Sequence, residues 1–312
     1  MNNRILVTCR QMQDSIPSLI KEIEQHQWEL VCPNLGSRQN FSSDEMRTLL
    51  ANVQGAIVGD DVIDHWALSE AKQLRAICKW GIGTDGIDLS AAANRGVSVG
   101  RTPGVFGEEV ADVALAYSIG LARELFEIDR KVRSGSWFKP AGFSLQGLRS
   151  TILGFGDIGQ ALARRLDVLG MEISVVDPAK EALVRAEVKG YRTGSLNDVV
   201  QGSNFLHVTC PLTPQTEGVV NHVLFAIMGA PAYVVNVSRG PVVNQQDLIS
   251  ALEAEVLTGA ALDVYDGEPL AQSNPLAELS NVVLGSHNAS NTRDAAHRAS
   301  RMAVEVLARM LG

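Results

Sequence analysis

The segment 150–177 constrains the fold more than any other part of the chain. A strand-like apolar run leads into Gly154-Phe-Gly-Asp-Ile-Gly159, which opens a helical pattern, and a second strand-like run ends at Asp177. Glycines at this spacing let a pyrophosphate approach the N–H groups of a helix N-terminus, and an acid about 20 residues further on can accept from a ribose hydroxyl. The segment therefore predicts a Rossmann unit that binds a dinucleotide.

The residues after Asp177 bear on the choice between the two nicotinamide dinucleotides. Pro178 and Ala179 follow the acid, and no arginine stands beside them to pair with a 2′-phosphate. The sequence therefore favours NAD over NADP. Lys180 offers one nearby cation, so NADP stays open as the second choice.

A second G-x-G-x-x-G pattern, Gly81-Ile-Gly-Thr-Asp-Gly86, lacks this context. The helix predicted after it, from about Asp88 to Arg95, is short, and the next strand ends at Gly100-Arg101 without an acid. We therefore expect no second dinucleotide site here. Exposed N–H groups at the end of a parallel strand can still hold a small carboxylate, or the glycines can simply serve a turn that needs positive φ angles.

Short apolar runs alternate with helical patterns along the chain, which indicates parallel sheets covered by helices on both faces. The predicted class is α/β, with two doubly wound parallel sheets: an NAD-binding Rossmann domain and a smaller, flavodoxin-like substrate domain. We expect the substrate domain to span 1–100, completed by 286–312, and the Rossmann domain to span 101–285.

Hydrophobic periodicity predicts the elements of the first domain and of the linking segments. The predicted strands are 4–9, 28–32, 55–58, 74–78 and 97–99, and the predicted helices are 14–26, 43–51, 62–72 and 88–95. Residues 107–133 predict one long helix that connects the two domains, and 134–147 predict an arm or surface crossover. The last helix, 291–311, has no strand after it and should return to the first domain.

Composition excludes several classes of protein. The net charge is −8, with both signs interspersed, so no extended positive surface is available to a nucleic acid. The 4 cysteines are widely spaced, which favours reduced thiols over a disulfide framework or a zinc site. No apolar run approaches the roughly 20 residues that span a bilayer, and the N-terminus carries no signal-peptide pattern. We expect a cytoplasmic protein without nucleic-acid or membrane partners.

Polar residues follow three later strands. Arg239, Asp263 and His287 each come at or just after an apolar, β-branched run. Because the carboxyl ends of parallel strands line one crevice, these side chains can converge although they are far apart in sequence. Taken singly, each has a plainer interpretation, such as a surface ion pair for the arginine or a helix-end polar group for the histidine.

Together these motifs resemble the D-isomer-specific 2-hydroxyacid dehydrogenase family, which includes phosphoglycerate dehydrogenases and glyoxylate and hydroxypyruvate reductases. The matching segments occur in the family's order and cover nearly the whole chain. They are Arg101-Thr-Pro-Gly104, Gly154-Phe-Gly-Asp-Ile-Gly159, Cys210-Pro-Leu-Thr-Pro214, Asn236-Val-Ser-Arg-Gly240, Gly259-Ala-Ala-Leu-Asp-Val-Tyr-Asp-Gly-Glu-Pro269 and the late His287.

The resemblance implies hydride transfer between NAD(H) and C2 of a small D-2-hydroxy acid or 2-keto acid. Arg239 would bind the substrate carboxylate through its planar, permanently charged fork. His287 would be the general acid/base, and Glu268 would hydrogen-bond the imidazole and favour its protonated form. Asp263 would hold the nicotinamide carboxamide.

The resemblance also implies the remaining site residues. The amides of Ile82 and Gly83 would bind the substrate carboxylate, together with Arg239 and His287. No metal is expected, because the other histidines lack partners at ligand spacing. The residues expected to line the cofactor are Gly154, Gly156, Asp157, Ile158, Gly159, Asp177, Cys210, Pro211, Val237, Ser238, Arg239, Asp263 and His287.

Family members commonly pair through the cofactor domain, so the resemblance implies a homodimer. The apolar face of the predicted helix 107–133, with Trp137 and Phe138, is the expected contact. Two other classes of function stay open on the same fold. An NAD-sensing corepressor related to C-terminal binding proteins would differ only by lacking turnover, and a formate or phosphite dehydrogenase would oxidise a substrate without a C2 hydroxyl.

The chain departs from the family pattern at three places. Ser286 stands where proline usually precedes the catalytic histidine, and Arg101 stands where asparagine usually precedes Thr-Pro-Gly. The arginine that follows the third strand of phosphoglycerate enzymes is replaced around Gly59-Asp60. This replacement disfavours a phosphorylated substrate, unless Arg101 or Lys79 compensates.

Overall fold

The structure, a computed structural model, describes residues 3–36 and 38–312 and divides into two compact units. The first unit comprises Met1–Val105 and Asn291–Gly312, and the second comprises Phe106–Ser290. The predicted domain boundaries lie a few residues before these divisions. As a consequence, His287 belongs to the second unit rather than to the C-terminal segment that completes the first.

A parallel sheet of five strands forms the first unit, in the order β2-β1-β3-β4-β5. This is the flavodoxin-like order, with its switch point between β1 and β3. The strands are β1 (Arg4–Val7), β2 (Glu29–Val31), β3 (Gly55–Val58), β4 (Ala76–Lys79) and β5 (Ser98–Arg101), and the helices between them are α1 (Arg10–Gln25), α2 (Ser43–Leu50) and α3 (Leu89–Asn94).

The helix predicted over 62–72 is wrong, because this stretch is a series of turns. Ile63 is extended and pairs with Ile87 as an isolated bridge, so the segment does not begin as a helix. After Leu68 the backbone hydrogen bonds join residues two or three apart rather than four, as in Ala71 N–H to Leu68 O at 3.1 Å. Apolar spacing identified the buried side of the segment but not its backbone conformation.

A parallel sheet of seven strands forms the second unit, in the order β12-β11-β10-β9-β6-β7-β8. The strands are β6 (Arg149–Leu153), β7 (Glu172–Val176), β8 (Arg192–Thr193), β9 (Phe205–Val208), β10 (Tyr233–Asn236), β11 (Gly259–Leu262) and β12 (Val282–Leu284). The helices are α4 (Gly107–Ala122), α5 (Leu125–Arg133), α6 (Asp157–Val168), α7 (Lys180–Val188), α8 (Leu196–Val200), α9 (His222–Ile227) and α10 (Gln245–Glu253). Strand β6 has β7 and β8 on one side and β9 to β12 on the other, which is the Rossmann order. The predicted fold class is confirmed.

The single helix predicted over 107–133 is wrong, because the segment forms two helices that both belong to the second unit. The break is at Glu124, which has a left-handed φ of 54°. Phe126 folds back so closely on Gly120 that a Cβ there would collide with its ring. This tertiary contact favours a turn over a continued helix.

The C-terminal helix, α11 (Arg293–Leu311), packs against α1 and the strands β3, β4 and β5 of the first unit. Trp80, just after β4, donates from Nε1 to Ser300 Oγ at 3.0 Å. No helix within residues 3–36 and 38–312 combines the length and the apolar character that crossing a bilayer requires.

Candidate active site

The predicted cofactor and catalytic residues of the second unit lie at one edge of its sheet. They follow the strands in this way: Gly154 after β6, Asp177 after β7, Cys210 and Pro211 after β9, Val237, Ser238 and Arg239 after β10, Asp263 after β11 and His287 after β12. The strands are parallel, so their carboxyl ends share this edge. The switch point between β6 and β9, where such sheets bind ligands, lies within the set.

Gly154 and Gly156 have different surroundings in the loop after β6. Gly154 has a φ of 98°, and a Cβ there would lie 2.7 Å from the backbone nitrogen of Cys210. Gly156 has a φ of −75°, which any residue can adopt, and a Cβ there would meet no atom within 4 Å. The protein's own packing therefore requires the first glycine, whereas the second faces open space.

The start of α6 and the carboxylate of Asp177 adjoin this loop. Within the described residues, no side chain caps the first N–H groups of α6, which begins at Asp157. Asp177 Oδ2 accepts from the N–H of Phe155 at 2.7 Å, and Oδ1 accepts from the N–H of Ala179 at 2.8 Å. A carboxylate has about four acceptor positions, so it can also accept from a further hydroxyl.

These features fit a dinucleotide. N–H groups at a helix N-terminus bind phosphate, and the open space at Gly156 admits it. Asp177 is held where it can accept from a ribose hydroxyl. Ile158 and Gly159 lie in the first turn of α6, and a Cβ at Gly159 would collide with the carbonyl oxygen of Gly154, so this glycine permits close packing of the helix on the strand end.

His287 and Glu268 form a hydrogen-bonded pair. The imidazole Nδ1 lies 2.7 Å from Glu268 Oε2, and the carboxylate's Oε1 accepts from the N–H of Tyr265 at 3.0 Å. The two side chains are 26% and 22% exposed, which leaves them reachable but largely shielded from water. A carboxylate at this distance favours the protonated imidazole and fixes the ring orientation. The structure thus brings these two predicted residues together.

Asp263 holds the backbone that carries His287. Its carbonyl oxygen accepts from the N–H of His287 at 2.7 Å, and its carboxylate accepts from Ala289 N–H at 2.8 Å and Asn288 N–H at 3.3 Å. His287 has a left-handed φ of 53°, a conformation that is uncommon outside glycine and needs support from its surroundings. This loop-holding function was not foreseen from the sequence, which predicted only a contact with the nicotinamide.

Two tyrosines extend this support. Tyr117 Oη donates to Asp263 Oδ1 at 3.4 Å, and Tyr265 Oη lies 2.7 Å from the carbonyl oxygen of Gly285 and 3.0 Å from that of Leu262. Burial, followed by the nearby Asp263 carboxylate, raises the pKa of both phenols well above the usual range. Both therefore remain protonated donors. Reasoning from the sequence missed them, although Tyr265 stands only two residues after Asp263.

Arg239 lies in a loop that packs against the loop leading to Glu268. Asn236 holds this loop by accepting from Ser238 N–H at 3.0 Å and donating to the carbonyl oxygen of Arg239 at 2.9 Å. Gly240 abuts the backbone of Tyr265 so closely that a Cβ would collide with it. The guanidinium donates from Nη1 to Ser238 O at 2.9 Å. The backbones that carry the predicted arginine and glutamate are therefore neighbours.

Ile82 and Gly83 lie in the first unit, in the loop that follows β4. The preceding Gly81 donates from its N–H to Thr102 Oγ1 at 2.8 Å and accepts from Thr102 N–H at 2.9 Å. The turn Arg101-Thr-Pro-Gly104 therefore fixes the start of this loop. The binding of a substrate carboxylate by its amides stays a prediction.

A sequence profile described as "D-isomer specific 2-hydroxyacid dehydrogenase, NAD binding domain" matches residues 115–289, more than half of the chain. The chain belongs to this family. It is 34% identical over 303 residues to glyoxylate/hydroxypyruvate reductase B of Yersinia enterocolitica, covering 94% of this chain and 91% of that protein. It is 36% identical over 253 residues to a glyoxylate reductase of Korarchaeum cryptofilum, covering 79% of this chain and 76% of that protein.

Solved structures agree over nearly the whole chain. A protein from Thermus thermophilus superposes with a TM-score of 0.84 at 31% identity, covering 99% of this chain and 96% of that one. The NADPH-dependent glyoxylate/hydroxypyruvate reductase of Sinorhizobium meliloti, solved with NADP and malonate, gives 0.81 at 28% identity, covering 97% and 92%. As a D-2-hydroxyacid dehydrogenase, this chain uses a nicotinamide dinucleotide and acts on a CH–OH group.

The second unit of the dehydrogenase contains two further histidines, and each has partners of its own. His207 is fully buried in β9, 2.7 Å from Ser118 Oγ and 2.9 Å from Ser150 Oγ, and burial lowers its pKa to about 3. His222 pairs with Asp247 at 2.8 Å on the surface. The described residues contain no group of three or more histidine, cysteine or acidic side chains placed to hold a metal ion.

Proposed function

We propose that this dehydrogenase reduces small 2-keto acids to D-2-hydroxy acids with NADH, with glyoxylate and hydroxypyruvate as the first candidates. The observation that carries the proposal is the 2.7 Å contact of His287 with Glu268, at the sheet edge that also carries the glycine loop. The relatives named glyoxylate reductase and glyoxylate/hydroxypyruvate reductase support this substrate class.

The chain's own residues have distinct tasks in this proposal. Arg239 binds the carboxylate of the keto acid and orients its carbonyl group through a bidentate, permanently charged contact. His287 Nδ1 faces Glu268, so Nε2 is the atom that delivers a proton to the carbonyl oxygen. General acid/base action of this kind contributes about 10²–10⁴-fold in rate. The bound nicotinamide supplies the hydride to C2.

Glu268 stabilises the charged imidazole before the proton moves. Because its second oxygen accepts from the Tyr265 N–H, the carboxylate cannot easily swing away from the ring. Asp263 and Tyr117 keep the left-handed backbone of His287 in place. The proton donor is thus oriented by its own partner and by the loop beneath it.

The proposal includes a preference for NAD over NADP. Asp177 is the acidic residue at the end of β7, and a 2′-phosphate would place about −1.5 to −2 charges near its carboxylate. The negative charges of the phosphate and of the Asp177 carboxylate would repel each other. The similar structure from Sinorhizobium meliloti is of an NADPH-dependent enzyme, so kcat/KM with NADH and with NADPH is the measurement that tests this preference.

A screen of NADH oxidation tests the proposed function. We expect turnover of glyoxylate and hydroxypyruvate. The same screen compares the rates with pyruvate, phenylpyruvate and 2-ketoisocaproate. Failure to reduce any 2-keto acid, with NADH or NADPH, would refute the proposal. NADH binding without turnover would favour the NAD-sensing alternative. NAD reduction by formate or phosphite, without keto-acid reduction, would favour a formate or phosphite dehydrogenase.

We also propose that the chain forms a homodimer through the second unit. Large apolar side chains lie exposed on and after α5: Leu125, Phe126, Val132, Trp137 and Phe143. Trp137 is 84% exposed, an unusual position for a large aromatic residue that stays in water. Light scattering at micromolar concentration should give twice the chain mass, and a monomeric mass would contradict the proposal.

A further inference from the structure

The loop that carries His287 leaves the sheet of the second unit from its outermost strand. Strand β12 has 3 residues and stands at the end of the strand order, next to β11. Gly285 donates to the carbonyl oxygen of Leu262 at 2.7 Å, and His287 follows two residues later with its left-handed φ of 53°. A short edge strand gives little support to an uncommon backbone conformation. The support therefore has to come from the residues that follow β11.

Tyr265 bonds to this loop from the segment after β11. Its Oη lies 2.7 Å from the carbonyl oxygen of Gly285 and 3.0 Å from that of Leu262. The hydroxyl thus joins the end of β11 to the residue that follows β12. Tyr265 is 6% exposed, and burial keeps the pKa of its phenol well above the usual range, so the hydroxyl stays a donor. This buried donor fixes the point from which the His287 loop begins.

The backbone of Tyr265 holds Glu268, the partner of His287. Its N–H donates to Glu268 Oε1 at 3.0 Å, and Oε2 of the same carboxylate lies 2.7 Å from His287 Nδ1. One residue therefore acts on both members of the pair, through its hydroxyl on the loop of the histidine and through its N–H on the carboxylate.

Tyr265 also abuts the loop that carries Arg239. A Cβ on Gly240 would collide with the carbonyl group of Tyr265, and Gly240 directly follows Arg239. The three loops that carry the predicted catalytic residues thus all adjoin Tyr265. All of them belong to the second unit.

We propose that Tyr265 is a positioning residue, whose hydroxyl bond to Gly285 holds the imidazole of His287 against Glu268. The hydroxyl contacts two backbone carbonyl groups, so it acts on the reaction through the placement of the proton donor. This inference rests on the proposed function, in which His287 delivers the proton. Binding of the cofactor at the glycine loop after β6 should not depend on this hydroxyl.

The charged groups around the imidazole stay the same when only this hydroxyl is removed. Glu268 contacts the ring, Asp263 bonds to the backbone of its loop, and Arg239 lies on the adjoining loop. The influence of a carboxylate on an imidazole weakens as the two groups separate. A change in the titration of His287 in Tyr265→Phe therefore reports a change in their distance or orientation.

Tyr265→Phe tests the proposal, because it keeps the buried ring and removes the hydroxyl. We expect kcat for keto-acid reduction to fall about tenfold, with KM and NADH affinity nearly unchanged, because one hydrogen bond that orients the proton donor is lost. The melting temperature checks that the variant folds. Tyr233→Phe is the matched control, since it removes a buried phenol at the amino end of β10, the opposite edge of the sheet, and should leave kcat unchanged.

The titration of the imidazole distinguishes positioning from a merely structural role. NMR of the full-length enzyme with ¹³C-labelled histidine follows His287, whose signal is assigned by its absence from His287→Asn. Its titration midpoint should lie at lower pH in Tyr265→Phe than in the wild type. Adding Tyr265→Phe to Glu268→Gln should give no further shift, because the charged partner is already absent. Replacing Tyr265 with 4-aminophenylalanine, which keeps a donor at this position, should restore the wild-type titration.

Several outcomes would overturn the inference. An unchanged midpoint and kcat in folded Tyr265→Phe, or an equal shift in the Glu268→Gln background, would show that the hydroxyl does not act through the pair. A shifted midpoint in the folded 4-aminophenylalanine variant would do so even if Tyr265→Phe did not fold. Should the wild type reduce no 2-keto acid, the proposed function would fail, and the titration, which needs no turnover, would still decide whether Tyr265 holds the pair.

Discussion

Each unit carries a G-x-G-x-x-G loop at the carboxyl end of a parallel strand, yet the helices after the two loops differ. In the second unit, α6 begins within the motif at Asp157, and no described side chain caps it. In the first unit, α3 begins only at Leu89, has 6 residues, and is capped by Asp88, which accepts from Ala91 N–H at 2.8 Å. Spacing alone therefore does not define a phosphate site. The next helix must also offer its N–H groups.

The third glycine of each motif also shows that glycine spacing alone does not define a phosphate site. A Cβ at Gly86 would lie 2.7 Å from the carbonyl oxygen of Asp61, so this glycine joins the loop to the segment that carries Asp60. Gly159 instead brings α6 close to the end of β6. In both loops the third glycine therefore permits close packing within the protein, and it does not by itself indicate a phosphate site.

The largest expected effect concerns His287, the proposed acid/base residue, which lies in the second unit. His287→Asn should lower kcat for keto-acid reduction by about 10²–10⁴-fold, because the proton donor is lost. NADH affinity, by fluorescence titration, should change little. His222→Asn is the matched control, since it removes an exposed imidazole that is also paired with a carboxylate. Comparable activity of His287→Asn and His222→Asn would remove His287 from its role.

The next prediction compares the glycines of the two loops. Gly156→Ala should weaken NADH binding about tenfold or more, because the added methyl group would occupy space where we expect the cofactor phosphates. The melting temperature of the apo-protein should not change, because this methyl group meets no protein atom within 4 Å. Gly86→Ala should lower the free energy of unfolding by about 1–3 kcal/mol, because its methyl group meets a backbone oxygen. Loss of apo-protein stability in Gly156→Ala would show that its open space is not a cofactor cradle.

The substitution Glu268→Gln tests whether this carboxylate favours the protonated form of His287, and the measurement is the pH profile of kcat/KM. Reduction requires the protonated imidazole, and the carboxylate favours that form. Removing its charge should therefore move the alkaline limb of the kcat/KM profile to lower pH. An alkaline limb that stays in place or moves to higher pH would contradict the proposed tuning.

The smallest effect concerns the loop beneath His287. Tyr117→Phe removes one hydrogen bond to Asp263, worth about 0.5–1.5 kcal/mol, so kcat should fall about two- to tenfold. The aromatic ring remains, and the melting temperature should stay within a few degrees. Unchanged kcat would show that the Asp263 contacts with Asn288 and Ala289 suffice to hold the loop.

Much of this fold follows from periodicity and from residues at strand ends. The segment 150–177 contains its own strand, turn, helix and acid, so local pattern was enough to predict the Rossmann unit and Asp177. The meeting of Glu268 with His287 required the family resemblance, because nothing in the spacing of two remote residues specifies a 2.7 Å contact.

Other features depend on contacts that no local pattern contains. The break at Glu124 follows from Phe126 folding onto Gly120, and the turns after Ile63 follow from its bridge to Ile87. The support of His287 by Asp263 runs largely through backbone N–H groups, which every residue except proline possesses. Such contacts leave no signature in the sequence.

The most direct test of the central claim follows a single hydrogen atom. Reduction of hydroxypyruvate with NADH deuterated at C4, in ordinary water, should yield D-glycerate with one deuterium at C2 and an undeuterated hydroxyl. That result requires direct delivery of the hydride from C4 of the nicotinamide to C2, because the hydroxyl hydrogen exchanges with water and carries no label. L-Glycerate, or product without deuterium from NADH labelled in turn on either face of C4, would contradict the account.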